Sequence, residues 1–352
     1  MKKPVFILVL ILILLNLSGC FQNQISSSPN SSSTLPIIDF SNIKMIDNSG
    51  WALSNALVLK TSNGGTYWNN VTPVDLSTTT DLSSFFLNKD IGWVAGRNKN
   101  DSFITIFKTT NGGSSWTKSK IQAPINPQIY FNDENNGWLL GLKGSAAGYN
   151  PVDIYRTDDG GKTWVAISSN IPTIGPKNGI YFKNNSVGWV TGQQPTGKAL
   201  YYLSKDGGQF WQTEGFQKDA NIEGSFATTN HPIFVDKNIG YFPVNYDGPN
   251  NSLTILYTTK NGGESWIATT PIDINANCFF AISNYCWVSN GKVLYRSNDY
   301  GKTWSKLSDK ITSGNIYQLN FINSQVGWAI GQGIFKTTDG GTNWTEIQIN
   351  VG

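Results

Sequence analysis

The sequence predicts an all-β protein, a seven-bladed β-propeller with four-stranded antiparallel blades, and three observations predict it. An eight-residue phrase, Ser/Thr-x-Asp/Asn-x-Gly-x-x-Trp, starts at Thr61, Thr109, Thr157, Ser204, Thr259, Ser297 and Thr337, at spacings of 38 to 55 residues. Self-similarity at such a period marks an architecture whose units bury their apolar faces only against neighbouring units. A second signature precedes each phrase, a Gly-Trp step at Gly50-Trp51, Gly92-Trp93, Gly137-Trp138, Gly188-Trp189 and Gly327-Trp328, with Gly240-Tyr241 and Cys286-Trp287 as variants. Finally, 36 glycines, 13% aromatic and only 14% charged residues suit many short strands and tight turns, and no stretch carries a helical apolar period.

Taken in order, residues 1–19 have two lysines and an apolar run over 5–15, the size of a signal peptide's apolar region and too short for a bilayer span. Leu17-Ser18-Gly19-Cys20 ends it. This tetrad resembles the lipobox of bacterial lipoproteins, which implies cleavage before Cys20 and lipid on its thiol. Residues 20–36 are Ser-rich and poor in groups able to offset ordering entropy by burial, so a flexible tether is expected. Residues 37–352 then form the propeller, extracytoplasmic and lipid-anchored to the bacterial cell membrane.

The repeats divide at 37–79, 80–123, 124–174, 175–215, 216–271, 272–310 and 311–352. In repeat two, 84–87 reads as strand A, 88–91 as a turn, 92–96 as strand B, 103–109 as strand C and 116–121 as strand D. An aromatic stands six residues before the Gly-Trp step, at Phe86, Phe131, Phe182, Phe234, Phe280 and Phe321. The phrase is the C to D turn: Asn63, Asn111, Asp159, Asp206, Asn261, Asp299 and Asp339 bond backbone amides of their own turns, and the glycines after them take positive φ. All 13 tryptophans occupy the phrase or the Gly-Trp step, so tryptophan here is architecture. The last repeat ends on its own strand D, and the ring closes either by apolar packing of the last repeat on the first or by residues 35–40 pairing onto the last repeat's edge.

Seven copies of the phrase resemble the Asp-box, or sialidase-type, repeat, and the added Phe…Gly-Trp step is similar to the propellers of the photosystem II stability/assembly factor-like family. That resemblance implies a seven-bladed propeller that binds other proteins. A sialidase needs three convergent arginines, but Arg156 and Arg296 stand just before the phrase, where other repeats have Lys60, Lys108 and Lys336, and only Arg97 lies elsewhere. The one histidine, His231, cannot build a histidine cluster for a metal, and a Ser-His-Asp triad would have to use it; it reads as a partly exposed loop histidine. No metal or other cofactor is expected. Net charge of +3 without clustered basic residues argues against nucleic acid.

Cys278 and Cys286 flank the A to B turn of repeat six and are candidates for a disulfide in an exported protein. The B to C and D to A connections share one propeller face, and insertions at 97–102, 142–153, 193–198 and 243–252, with the long connection 214–230, fall on it. Candidate binding residues there are Arg97, Asp101, Tyr149, Asp153, Gln193, Phe226, His231, Tyr246 and Asp247. The expected function is a non-enzymatic protein-binding or assembly module for an envelope protein; the alternative is a carbohydrate-binding or glycoside-hydrolysing propeller acting on cell-surface glycan.

Overall fold

A computed structural model describes residues 39–349 except 55–56, 99–101, 123–124, 145–149, 168–169, 174, 195–196, 217–225, 250 and 309–314. The leader, Cys20 and residues 35–38 lie outside the described residues, as do Asp101 and Tyr149. Ile37–Gly352 forms one compact unit.

Antiparallel sheets follow the repeats. Repeat one gives Phe40–Ile46, Ser49–Ser54, Val58–Thr61 and Asn69–Asn70; repeat two gives Thr79–Phe86, Gly92–Asn98, Phe103–Thr109 and Thr117–Gln122. Repeats three, six and seven each form a four-stranded sheet as well. Repeats four and five are joined in one nine-stranded sheet, because the end of strand B of repeat four, Gly188–Gln194, pairs with Phe226–Thr229 of repeat five. The predicted strand C of repeat two matches its observed bounds, while strand A begins five residues earlier, at Thr79 rather than residue 84, since a bulge between Thr80 and Ser83 lets pairing continue.

Each Asp-box turn is locked by the same short bonds. Thr157 Oγ1 donates to Asp159 Oδ1 at 2.8 Å, the Gly161 amide donates to Thr157 Oγ1 at 2.8 Å, and the Thr163 amide donates to Asp159 Oδ1 at 2.9 Å. Asn63, Asn111, Asp206, Asn261, Asp299 and Asp339 make the equivalent bonds. Gly160 and Gly161 need φ of 77° and 90°, a region closed to most side chains. Desolvation at the turn opposes ionisation, but the hydrogen bonds from Thr163, Thr157 and the Lys162 amide outweigh it and hold the Asp159 carboxyl at about 2.

The Gly-Trp step locks one repeat onto the next. Phe131 lies flat over Gly137 of its own sheet, where a Cβ would sit 2.4 Å from the ring, and Trp93 of the preceding repeat stacks on its other face at 3.7 Å. The Trp93 indole N–H then donates to the Gly160 carbonyl in the next Asp box at 2.9 Å. Trp138 repeats this on Phe182 and Gly207, and Trp287 on Phe321 and Gly340. Such stacks contribute roughly 0.5–1.5 kcal/mol each beyond the buried area.

Closure uses the same device. Trp328 of repeat seven donates to the Gly64 carbonyl of repeat one at 3.2 Å, and Gln318 and Asn320 side chains accept the Ile43 and Met45 amides. Phe40, Ile43 and Met45 share a core cluster with Trp328, Ile330 and Ile334. Among the described residues, Phe40 belongs to a strand paired within the first sheet, the last sheet ends on its own Thr345–Ile347, and the two sheets meet through these hydrogen bonds and the shared core.

Two expectations for repeat six are corrected. Cys278 and Cys286 are free, buried thiols. Cys278 pairs with Ser289 while Cys286 pairs with Ala281, an offset of three along the hairpin, so alternation sends the two thiols to opposite faces of the sheet. Nor does Phe280 take the aromatic slot: Ala281 stands opposite Cys286 there. Cys286 has replaced the glycine on which an aromatic ring would rest, and the small Ala281 leaves room for Tyr241 of repeat five, whose hydroxyl reaches the Ser283 carbonyl at 2.7 Å.

Candidate functional site

In repeats four and five the described part of the insertion face is built by prolonged strands. Residues 243–252, expected as a loop, are mostly hairpin, since Gly240–Asp247 and Ser252–Thr259 pair along their whole length. The second half of the 214–230 connection, Phe226–Thr229, is the strand bridging repeats four and five.

That bridge gathers three of the candidates. Gln193 pairs with Thr228, and Phe226, 49% exposed, pairs with Asp247 at the sheet's outer end. Asp247 accepts the Asn275 amide at 3.0 Å and the Ser252 hydroxyl. Arg97 and Asp153 stand on repeats two and three instead, Arg97 near the end of its strand B and Asp153 paired with Lys143 at 2.6 Å. Tyr246 is corrected: it is fully buried in the core between repeats four and five, and its hydroxyl lies 3.0 Å from that of Tyr257. The extended strand carries the aromatic inward where a loop would have let it out.

His231 lies with its Cβ over Gly179 of the preceding repeat. Together with Asn230, Ile233, Pro243, Ala276, Asn277, Cys278 and Phe279 it lines a cleft of about 90 Å³. Asn277 and Asn230 went unnoticed in the sequence because asparagine is common in turns and neither belongs to a repeat slot. Burial pushes the Cys278 thiol up to about 12, so it stays protonated. Nearby, buried Lys177 is lowered to about 8 by desolvation and donates to the Gly175 carbonyl at 2.9 Å.

The opposite face is a cationic frame. Arg156 lies 5.6 Å from the Trp138 ring, Lys108 5.1 Å from Trp93, Arg296 5.5 Å from Trp287 and Lys336 5.2 Å from Trp328. Lys108 and Arg296 also donate to A to B turn carbonyls of the next repeat, Glu134 and Ser324. Arg156 and Arg296 are therefore part of the seams, as their slot implied. A wider polar hollow of about 580 Å³ lies between the A to B turns of repeats three and four, lined by Asn132, Asp133 and residues 183–187. Among the described residues no three His, Cys, Asp or Glu side chains gather to hold a metal.

Repeated sheets, Asp-box turns and indole seams define the class: an all-β propeller of the Asp-box type. The family model described as photosynthesis system II assembly factor YCF48 matches residues 26–176. A photosystem II assembly lipoprotein Ycf48 of Synechococcus sp. (strain CC9902) is 24% identical over 305 residues, 75% of this chain and 86% of that protein. Within its class the chain thus resembles the photosystem II stability/assembly factor-like propellers. A solved structure of YCF48 bound to a D1 peptide is similar at a TM-score of 0.62 and 20% identity, over 90% of this chain and 98% of that one. A GH74 enzyme of Niastella koreensis is similar at 0.65 and 15%, over 87% of this chain and 53% of the enzyme. The Synechococcus protein is named for assembly and not for a catalysed reaction, in line with the non-enzymatic expectation.

Proposed function

We propose that the chain is a non-enzymatic protein-binding or assembly module, a seven-bladed propeller held on a Ser-rich tether to the outer side of a bacterial membrane by lipid on Cys20. The observation that carries this reading is the likeness along nearly the whole chain to YCF48, which in its solved structure holds a D1 peptide. Five four-stranded sheets, with repeats four and five merged in the sixth, support a count of seven. The partner would dock on the face where repeats two to five prolong their strands, around Arg97, Asp153, Gln193, Phe226 and Asp247; Asp101 and Tyr149 belong to the same insertions.

The test is photo-crosslinking in cells from Asp247 and Arg97, with Thr163 in an Asp-box turn as control. A discrete protein adduct from the first two positions and none from Thr163 is expected; glycan adducts, or equal capture from all three, would overturn the reading. Cys20→Ser should release the chain from the membrane fraction.

The fold likeness to the GH74 enzyme favours a second reading, a glycan-binding or glycan-cleaving propeller. It would require two carboxylates facing one sugar. Asp153 is tied to Lys143, and Asp247 to Asn275 and Ser252. Sugar release from cell-wall polymers would establish it.

A further inference from the structure

The cleft at His231 has a composition that nothing in the propeller frame requires. Its floor is apolar, made by Ile233, Pro243, Ala276 and Phe279, while Asn230, His231 and Asn277 stand at its polar edge. Asn277 donates one amide hydrogen to the Ile316 carbonyl at 3.2 Å, which leaves its side-chain oxygen for another group. The side chains of Asn230 and His231 make no hydrogen bond among the described residues. Polar groups placed beside an apolar recess, with bonding capacity left over, are the usual makings of a recognition subsite.

Size selects the occupant. At about 90 Å³ the cleft is far below the roughly 300–1,000 Å³ of small-molecule sites, so neither a sugar ring with its hydroxyls nor a cofactor is enclosed. One branched aliphatic side chain fits. Asn and His at the edge offer both donors and acceptors, the complement of the peptide groups on either side of such a side chain.

We propose that the cleft between repeats five and six is a side-chain pocket for an extended polypeptide, taking one leucine- or valine-sized residue on Ile233, Pro243, Ala276 and Phe279, with its flanking peptide groups bonded by Asn230, His231 and Asn277. The inference rests on the protein-binding reading and names what part of a partner is recognised. It also extends the docking face from the insertions of repeat five, which supply Asn230 and Pro243, onto repeat six.

The test uses the full chain and N-acetyl-leucine methylamide as probe. His231 is the single histidine, so its ring resonances are unique reporters in an isotope-labelled sample. Saturable shifts of those resonances are expected with the leucine probe, with about tenfold weaker binding of the glycine analogue, the factor for partial burial of one aliphatic side chain. The tryptophan analogue should not bind. Ala276→Met fills the cleft and should abolish the shifts; because Ala276 is buried, Asn277→Ala at the exposed edge serves as the second variant and should weaken binding several-fold. Absent shifts, or equal shifts with the glycine analogue, would overturn the pocket. A protein adduct from Asp247 with unmoved His231 resonances sinks the pocket alone, whereas His231 shifts without any adduct leave the pocket standing and sink the partner reading.

Discussion

Two neighbouring seams of the ring are held in different ways. Between repeats three and four, Trp138 lies within 7° of Phe182 at 3.7 Å, its indole N–H bonds the Gly207 carbonyl at 2.9 Å, and Arg156 covers the ring. Between repeats four and five, Trp189 is tilted 34° from Phe234 at 5.4 Å, and its buried indole nitrogen has no partner among the described residues. The cause is competition for one oxygen. The Gly262 carbonyl, equivalent to that of Gly207, accepts Lys183 Nζ at 2.9 Å, and Leu203 stands where Arg156 stands in the other seam. Backbone pairing of Gln193 and Gln194 with Thr228 and Ala227 makes up for the lost latch, at the opposite rim. The repeat thus dictates that adjacent sheets must be joined, while the joint itself can move, here to the side on which the candidate binding residues lie.

The largest effect that would sharpen this comparison comes from glycine. Gly188→Ala places a Cβ 2.4 Å from Phe182 in a ring fixed flat on both sides, whereas Gly240→Ala meets Phe234 at 2.8 Å in a seam already tilted. Denaturant unfolding should show a loss of about 3 kcal/mol for the first and about 1 kcal/mol for the second; equal losses would mean that the seams are alike after all.

The indoles give the next largest effect. Trp138→Phe leaves the Gly207 carbonyl unsatisfied and should cost about 2 kcal/mol more than Trp189→Phe, which removes a donor without an acceptor. In a Lys183→Met background Trp189 regains the Gly262 carbonyl, so Trp189→Phe should become about 1 kcal/mol more costly than in the parent. An unchanged cost would refute competition for that oxygen.

The smallest effect separates lysine from arginine latches. Lys60, over the Trp51 ring, is lowered from 10.5 to about 8 chiefly by desolvation, with Asp90 opposing and Lys89 adding to the shift. A depressed folded-state value means that folding resists protonation: the contribution is present above pH 10.5 and is lost as pH falls through 8. Stability should therefore rise by less than about 1 kcal/mol between those limits, since the amine is part exposed. Lys60→Arg stays charged throughout and should flatten that rise in pH-dependent unfolding.

Local rules were readable in the sequence. The Asp-box residues bond amides within four positions of themselves, so Asp159 or Asn111 carries its own structural assignment. The recurrence of the Gly-Trp step with an aromatic six residues before it was readable too, though only the structure shows the ring lying on the glycine. Properties set by the length of pairing were not readable. Tyr246 looks like a loop aromatic in the sequence and becomes core because the hairpin extends through Asp247. Cys278 and Cys286 are close enough in sequence for a bridge, and only the shorter turn of repeat six reveals that their parity forbids it. The His231 cleft depends on side chains from two repeats, and no spacing within either one announces it.

The exchange around Cys286 bears on how such a chain can diverge. Tyr241, Ala281 and Cys286 pack as a unit where five of the other seams have tryptophan, phenylalanine and glycine, and the closing seam has Trp328, Met45 and Gly50. Cys286→Gly alone would leave a void, and Ala281→Phe alone would drive a ring into the thiol, so no single step between the two packings is neutral. Substitutions at 241, 281 and 286 should be strongly epistatic, and a comparison of repeats one column at a time would count as three separate losses what is one concerted replacement.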